Sequence, residues 1–299
     1  MVTSLIQRFN VLKLFRILLN ISILTLMSGC QDKEMPNTTE NVSFLKSAQD
    51  VEWQKLSEIV IFFGHQSVGN NILDGIRDIA RENPKVNLLI TDHDEGNKNS
   101  GPLFIHSRVG KNGEPITKVD DFKEIMNRGM GTRAHIAFMK FCYVDLNKAT
   151  DVEKVFDYYK NTVNYLREKY PKTTFVHVTV PVEANKSTWK TWIKKIIGEE
   201  GIWEYENDIS RWRYNTLLRK EYEGKEPIFD LAMIESTYTD GKQEFFEYQG
   251  IRYPAMVPEY TTDGGHLNEK GRKIVAEKLL IFLSNTSNWR QTHPLTKGL

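Results

Sequence analysis

Five short apolar runs punctuate the chain, and most are followed by a stretch whose apolar residues recur at helical spacing. The runs are residues 58–63 (EIVIFF), 86–91 (VNLLIT), 135–142 (HIAFMKFC), 173–180 (TTFVHVTV) and 227–234 (PIFDLAMI). Continuous rather than alternating apolarity marks a strand covered on both faces. Patterns at 68–81, 120–130, 151–170 and 209–222 predict helices, with Pro171 placed to stop the third. A last helix starts near Asn268 and carries Ile274, Val275, Leu279, Phe282 and Leu283 on one face. Strands alternating with helices imply a parallel sheet covered on both sides. The expected architecture is α/β: a three-layer α/β/α, doubly wound parallel sheet of flavodoxin-like type. Residues 92–119, rich in Gly, Asn, Asp and Pro, read as a long loop, and Phe245, Phe246, Tyr248 and Tyr253 suggest a hairpin. The domain is expected to span 51–286, with an insertion at 183–208 and a tail at 287–299. Trp189, Trp192 and Trp203 in the insertion would pack it onto the domain or stack on sugar rings.

The first fifty residues fall outside this pattern. Arg8, Lys13 and Arg16 precede an apolar run at 17–27, too short for a spanning helix and fitting a signal peptide. Leu26-Met27-Ser28-Gly29-Cys30 resembles the bacterial lipobox, which implies cleavage after residue 29 and lipidation of Cys30. The alternative is an uncleaved anchor with a chance cysteine. Gln31-Asp32-Lys33-Glu34 resembles a lipoprotein surface-export tether, and 30–50 reads as flexible. An exported, cell-envelope protein held to a membrane by its lipid is the expectation, with the outer surface suggested by the tether. Only Cys142 remains, so the lipidated form has no intrachain disulfide. With 40 basic and 39 acidic residues, the chain lacks the electrostatic footprint of a nucleic-acid binder.

In doubly wound sheets ligands bind outside the carboxyl ends of the strands, which directs attention to two segments. Phe63-Gly64-His65-Gln66-Ser67-Val68-Gly69-Asn70-Asn71 joins the first strand to its helix. Ser67 there either presents a hydroxyl beside helix-start amides able to hold an oxyanion, or simply caps the helix. Thr262-Asp263-Gly264-Gly265-His266-Leu267-Asn268 precedes the last helix. Its glycines permit a turn that sets the Asp263 carboxylate on the His266 ring; the plainer reading is a turn ending in an Asn268 cap.

Together the two segments resemble the SGNH (GDSL-type) hydrolases, whose nucleophile follows strand one and whose last block reads Asp-x-x-His-Leu-Asn. The resemblance implies Ser67 as nucleophile, His266 as general base and Asp263 as its orienting partner. Gln66 stands where the family's Gly-Asp-Ser has aspartate. The family's oxyanion-hole glycine matches Gly110 best and Gly113 second, while Val144 occupies the asparagine position. The expected oxyanion donors are therefore the Ser67 and Gly110 amides with Asn112, and Lys140 as the replacement for Asn112. His65, Gln66 and Lys140 are expected to touch substrate. The implied activity is hydrolysis of an acyl ester, with an ester-bearing small molecule or acylated glycan as partner. The alternatives are a catalytically silent glycan-binding module and an acyltransferase. No cofactor or metal is called for: Asp92-His93-Asp94-Glu95 reads as a solvated loop, His177 as a core residue, and Cys142 as a small buried hydrophobe.

Overall fold

The first strand, β1 (Val60–His65), lies third in a six-stranded sheet of order β2-β3-β1-β4-β5-β6. In chain order the elements are β1, α1 (Ser67–Glu82), β2 (Leu89–Asp92), β3 (Leu103–Arg108), α2 (Pro115–Ile125), β4 (Ile136–Met139) and α3 (Val152–Lys169). There follow β5 (Thr174–Val178), α4 (Ile202–Tyr222), β6 (Ile228–Phe229), α5 (Leu231–Glu235), the hairpin β7 (Phe245–Tyr248) and β8 (Ile251–Pro254), and α6 (Glu269–Thr286). This computed structural model describes residues 53–83, 86, 88–93, 103–185, 202–287 and 289. The signal segment, Cys30, the tether, Trp189, Trp192, the Trp203 side chain and nearly all of the tail lie outside the described residues.

Every neighbouring pair in the six-stranded sheet is parallel, as the α/β alternation predicts. Successive strand side chains point to opposite faces, so one sheet builds two cores. Ile61, Phe63, Phe104 and Phe138 meet Val68, Ile72 and Ile76 of α1 and Val275, Leu279 and Leu283 of α6. Phe62, Ile105, Ala137 and Phe175 meet Phe122 of α2, Val155 and Leu166 of α3, and Leu218 of α4. Each fully buried Leu, Ile or Phe contributes roughly 1.5–3 kcal/mol against the entropy of ordering the chain. This is the three-layer, doubly wound arrangement.

Helices α1 and α6 cross closely on one face. A Cβ at Gly75 would stand 2.3 Å from the Arg272 carbonyl oxygen, so glycine lets the backbones touch. Arg272 also donates to Asp78 at 2.9 Å. Both helices start at the carboxyl edge of the sheet, one at Ser67 and the other just after His266. The fold thereby brings together two segments almost two hundred residues apart.

Three elements differ from expectation. Strand β3 was expected to be loop; it lies between β1 and β2, and restores the flavodoxin-like order with β2 added at the edge. Its three polar residues, His106, Ser107 and Arg108, conceal it, and His106 is accommodated because its ring meets the buried His65. The run at 227–234 is a strand only at Ile228–Phe229. Asp230 then caps α5, its side chain accepting from the Met233 amide at 3.1 Å. Helix α4 begins at Ile202, inside the stretch expected to be insertion, and the hairpin packs on it through Phe246, Tyr253 and Trp212.

Candidate active site

Gln66 is the N-cap of α1, with extended backbone, and its carbonyl accepts from Gly69 at 2.9 Å. Ser67 is thus the first helical residue rather than the cap, at the positive end of a sixteen-residue helix whose first amides have no intrahelical acceptor. Its hydroxyl faces His266 Nε2 at 3.1 Å. On the other side of the ring, Nδ1 donates to Asp263 Oδ2 at 2.7 Å. The second carboxylate oxygen, Oδ1, accepts from the His266 amide at 2.8 Å and the Gly265 amide at 2.9 Å. Those two amides, and then the imidazole itself, hold the Asp263 carboxyl well below the usual carboxylate range. The carboxylate is therefore ionised and fixed, and it sets the tautomer that leaves Nε2 free to accept the Ser67 proton. Gly264 makes the turn, at φ 92°. Asn268 caps α6 immediately afterwards, accepting from Gly271 at 3.0 Å.

Other residues expected at the site have different positions. His65 is buried completely. Its Nδ1 donates to the Gln66 carbonyl at 2.8 Å, and Nε2 accepts from His106 Nδ1 at 3.2 Å. Burial, chiefly, pushes its pKa down to about 3, so it is neutral. It shapes the turn before Ser67 rather than facing substrate. Gly69 leaves room for it, since a Cβ there would lie 2.3 Å from the His65 Cβ and 2.4 Å from its ring carbon Cγ. Gln66 spends its amide nitrogen on the Val109 and Gly110 carbonyls, at 2.9 and 2.8 Å. This also turns it away from a substrate role and clamps the loop after β3 to the nucleophile.

The oxyanion-hole expectation needs correction at Gly110. Its N–H is already donated to Asp121 at 2.7 Å, and the residue serves a turn at φ 56° that leaves no space for a side chain. The Gly113 amide is likewise taken, by Asp145 at 2.8 Å. Lys140 is buried, donating to the Phe141 carbonyl at 3.2 Å and lying 3.8 Å from Cys142 Sγ, so it does not replace the missing donor. Asn112 is exposed, and its Oδ1 is held by Lys118 Nζ at 2.9 Å, which leaves its amide nitrogen as a donor.

Two residues beyond the sequence reading also frame the site. Tyr143 meets the His266 ring edge-on at 5.8 Å, and Gly265 is required because a Cβ would lie 2.7 Å from the Tyr143 ring. Lys118 forms a buried pair with Asp145 at 2.5 Å. Residue 118 falls in the stretch read as a loop, where nothing in the sequence marks a lysine as structural.

Beneath the loops lies Glu235, with Oε2 accepting from Val182 N–H at 2.9 Å and Oε1 buried without a protein partner among the described residues. Burial pushes its pKa up to about 8, against the Val182 amide and the charges of Lys140 and Arg211. In the unfolded chain the group ionises near 4.5. Between those values the folded state holds the proton that the unfolded state has lost, so stability falls as pH rises through this window and then levels off. Urea midpoints measured at pH 5 and pH 9 should therefore drop more for the wild type than for Glu235→Gln. An equal drop in both would remove this account of Glu235.

No family model matches the sequence, and no curated protein matches it. Among solved structures the chain is similar to a member of the lipolytic G-D-S-L family from Veillonella parvula, at 12% identity over 74% of this chain and 95% of that one, with a TM-score of 0.39. It is also similar to the psychrotrophic esterase of a Pseudoalteromonas species, at 7% identity over 77% and 100% of the two chains, TM-score 0.41. A third is the C-terminal catalytic domain of peptidoglycan O-acetyltransferase A from Streptococcus pneumoniae, at 13% identity over 78% and 96%, TM-score 0.38.

Proposed function

We propose that this chain breaks an acyl ester through Ser67 and passes the acyl group to water. The single observation that supports it is the continuous chain of hydrogen bonds from Ser67 Oγ through His266 to Asp263. In the proposed cycle His266 Nε2 removes the Ser67 proton as Oγ bonds to the ester carbonyl carbon. The oxyanion is held by the Ser67 amide at the start of α1 and by the Asn112 side-chain amide. Collapse of the tetrahedral intermediate breaks the bond to the alcohol oxygen, which leaves with the proton from His266. Water then repeats the sequence and releases the acid. An acceptor alcohol in place of that water would make the same residues an acyltransferase. Acetylated carbohydrate at the cell envelope is the substrate class we favour, with the protein tethered through a lipidated Cys30.

Mass spectrometry of the intact exported protein after treatment with a fluorophosphonate probe tests these points together. The expected adduct is on Ser67, and the expected first residue is a diacylated Cys30. A folded protein that takes no label, or takes it at another serine, would exclude the proposed nucleophile. An unprocessed N-terminus would exclude the anchor.

A further inference from the structure

The turn that carries Asp263 and His266 has few ties to the rest of the domain. Among the described residues the hydrogen bonds of 263–266 run within 261–266, with two exceptions. One is His266 to Ser67 at 3.1 Å; the other is the Gly264 carbonyl, which accepts from the Ala184 N–H at 2.8 Å. Gly264 has no side chain and stands at φ 92°, so this backbone bond is what fixes the turn to the body of the fold. Where the histidine sits relative to Ser67 therefore depends on where residue 184 sits.

Residues 182–184 follow β5, and each of them is tied to another segment. The Val182 N–H donates to Glu235 Oε2 at 2.9 Å. The Glu183 carbonyl accepts from the Met256 N–H at 2.9 Å, and its carboxylate takes Nη2 of Arg211 at 2.7 Å. Arg211 in turn donates through Nη1 to the carbonyl of Tyr143, the residue beside His266, at 2.8 Å. Glu235 is the last residue of α5 and is fully buried. Its main-chain carbonyl accepts from the Val257 N–H at 2.9 Å, next to Met256. One residue thus joins the strap after β5 to the segment that leads into the histidine turn.

A buried carboxyl group is costly, and packing alone would be better served by leucine. What leucine lacks is an acceptor for the Val182 N–H, and a buried amide without one is rare in native proteins. Burial pushes the Glu235 pKa up to about 8, so at neutral pH the group is protonated and acts as an uncharged acceptor. Only one residue separates Val182 from Ala184. A strap that loses its anchor at 182 shifts at 184, and the shift passes through Gly264 to an imidazole two residues further on. Catalytic groups depend on such supporting contacts, because a misplacement of about 1 Å can cost roughly 10²-fold in rate.

We infer that Glu235 is a positioning residue for the triad: by holding Val182 it places Ala184, and through Gly264 it places His266 against Ser67. The role rests on the esterase reading of Ser67. Kinetics with p-nitrophenyl acetate and the rate of fluorophosphonate labelling of Ser67, both at neutral pH, test it on the wild type, Glu235→Leu and Glu235→Gln. Glu235→Leu should lose about 10- to 100-fold in kcat and in labelling rate, with KM changed by less than about twofold. Glu235→Gln keeps an uncharged acceptor for Val182 and should stay within about twofold of the wild-type kcat. Leu166→Ala weakens the core on the opposite face of the sheet and should keep its kcat, which separates positioning from general loss of stability. Where Glu235→Leu does not fold, Glu235→Asp takes its place: it withdraws the acceptor by one methylene and should show the same loss. Full kcat in Glu235→Leu or in its substitute, a comparable loss in Glu235→Gln, or a comparable loss in Leu166→Ala would overturn the role. A wild type that neither turns over the ester nor takes the label would remove the esterase reading and this role with it. An active wild type matched by Glu235→Leu would remove the role alone.

Discussion

Ser67→Ala and His266→Ala are each expected to lower kcat for p-nitrophenyl acetate by about 10⁴- to 10⁶-fold, and the double variant to be scarcely worse than either alone. The non-additivity follows from geometry. Ser67 Oγ and His266 Nε2 share one proton across 3.1 Å, so removing either partner removes the same step. Asp263→Asn has a more specific expected consequence. The Gly265 and His266 amides both donate to Oδ1, so an asparagine would turn its oxygen toward them. Its NH2 would then face His266 Nδ1 and donate to it, which puts the imidazole proton on Nε2. That tautomer cannot accept from Ser67, and a loss of up to about 10⁴-fold in kcat follows, with KM little changed. Asp263 is 55% exposed in its side chain, so water can compensate in part and the loss should lie below that ceiling. Steady-state kinetics of the three single variants and the double decides the matter. Additive losses in Ser67→Ala/His266→Ala would show that the two residues do not act as a unit.

The fold was legible in the sequence where burial leaves a continuous apolar run, as at residues 58–63, and where a helix is long and one-sided, as in α6. Strand β3 escaped because half of it is polar. His106 is tolerated inside only through the buried ring of His65, forty-one positions away, and a local pattern cannot show that partnership. The end of β6 was misplaced for a related reason: the apolar run continues through Asp230, and a capping carboxylate overrides apolarity. At the site, the serine and the Asp-Gly-Gly-His segment stood out because glycine and polar residues interrupt apolar runs at the carboxyl edge. The supporting residues did not. Gln66 and His65 precede the nucleophile and Gly110 follows the next strand but one, yet their hydrogen bonds go to backbone, to His106 and to Asp121, which only the folded arrangement reveals. Tyr143, Lys118 and Arg211 act across elements, so nothing local marks them.

Lys118→Met is expected to destabilise the domain by about 3–5 kcal/mol, the cost of leaving one member of a buried ion pair without the other. Neither Lys118 nor Asp145 has any exposed side-chain surface, and their contact is 2.5 Å. In the variant Asp145 keeps two backbone donors, Gly113 N–H at 2.8 Å and Cys142 N–H at 2.6 Å, but no countercharge. For a domain of this size, each kcal/mol moves Tm by roughly 2–4 °C, so a fall of about 6–20 °C is expected. Asp145→Asn should also destabilise, because it strands the ammonium and keeps only part of the backbone anchoring. Since each substitution removes the same interaction, the double variant should fall short of the sum of the singles. The pair also joins the loop carrying Asn112 to the loop carrying Cys142 and Tyr143. Lys118 fixes the Asn112 carbonyl oxygen, so its loss should free the amide proposed to hold the oxyanion. Measured where the variant remains folded, kcat should therefore fall by about 10-fold to 10³-fold, at most that of a missing oxyanion donor, with KM nearly constant. Urea denaturation and kinetics on the same preparation separate the two consequences. A variant within 1 kcal/mol of the wild type would show that the pair contributes little to the fold. One destabilised as expected but with unchanged kcat would exclude Asn112 as an oxyanion donor.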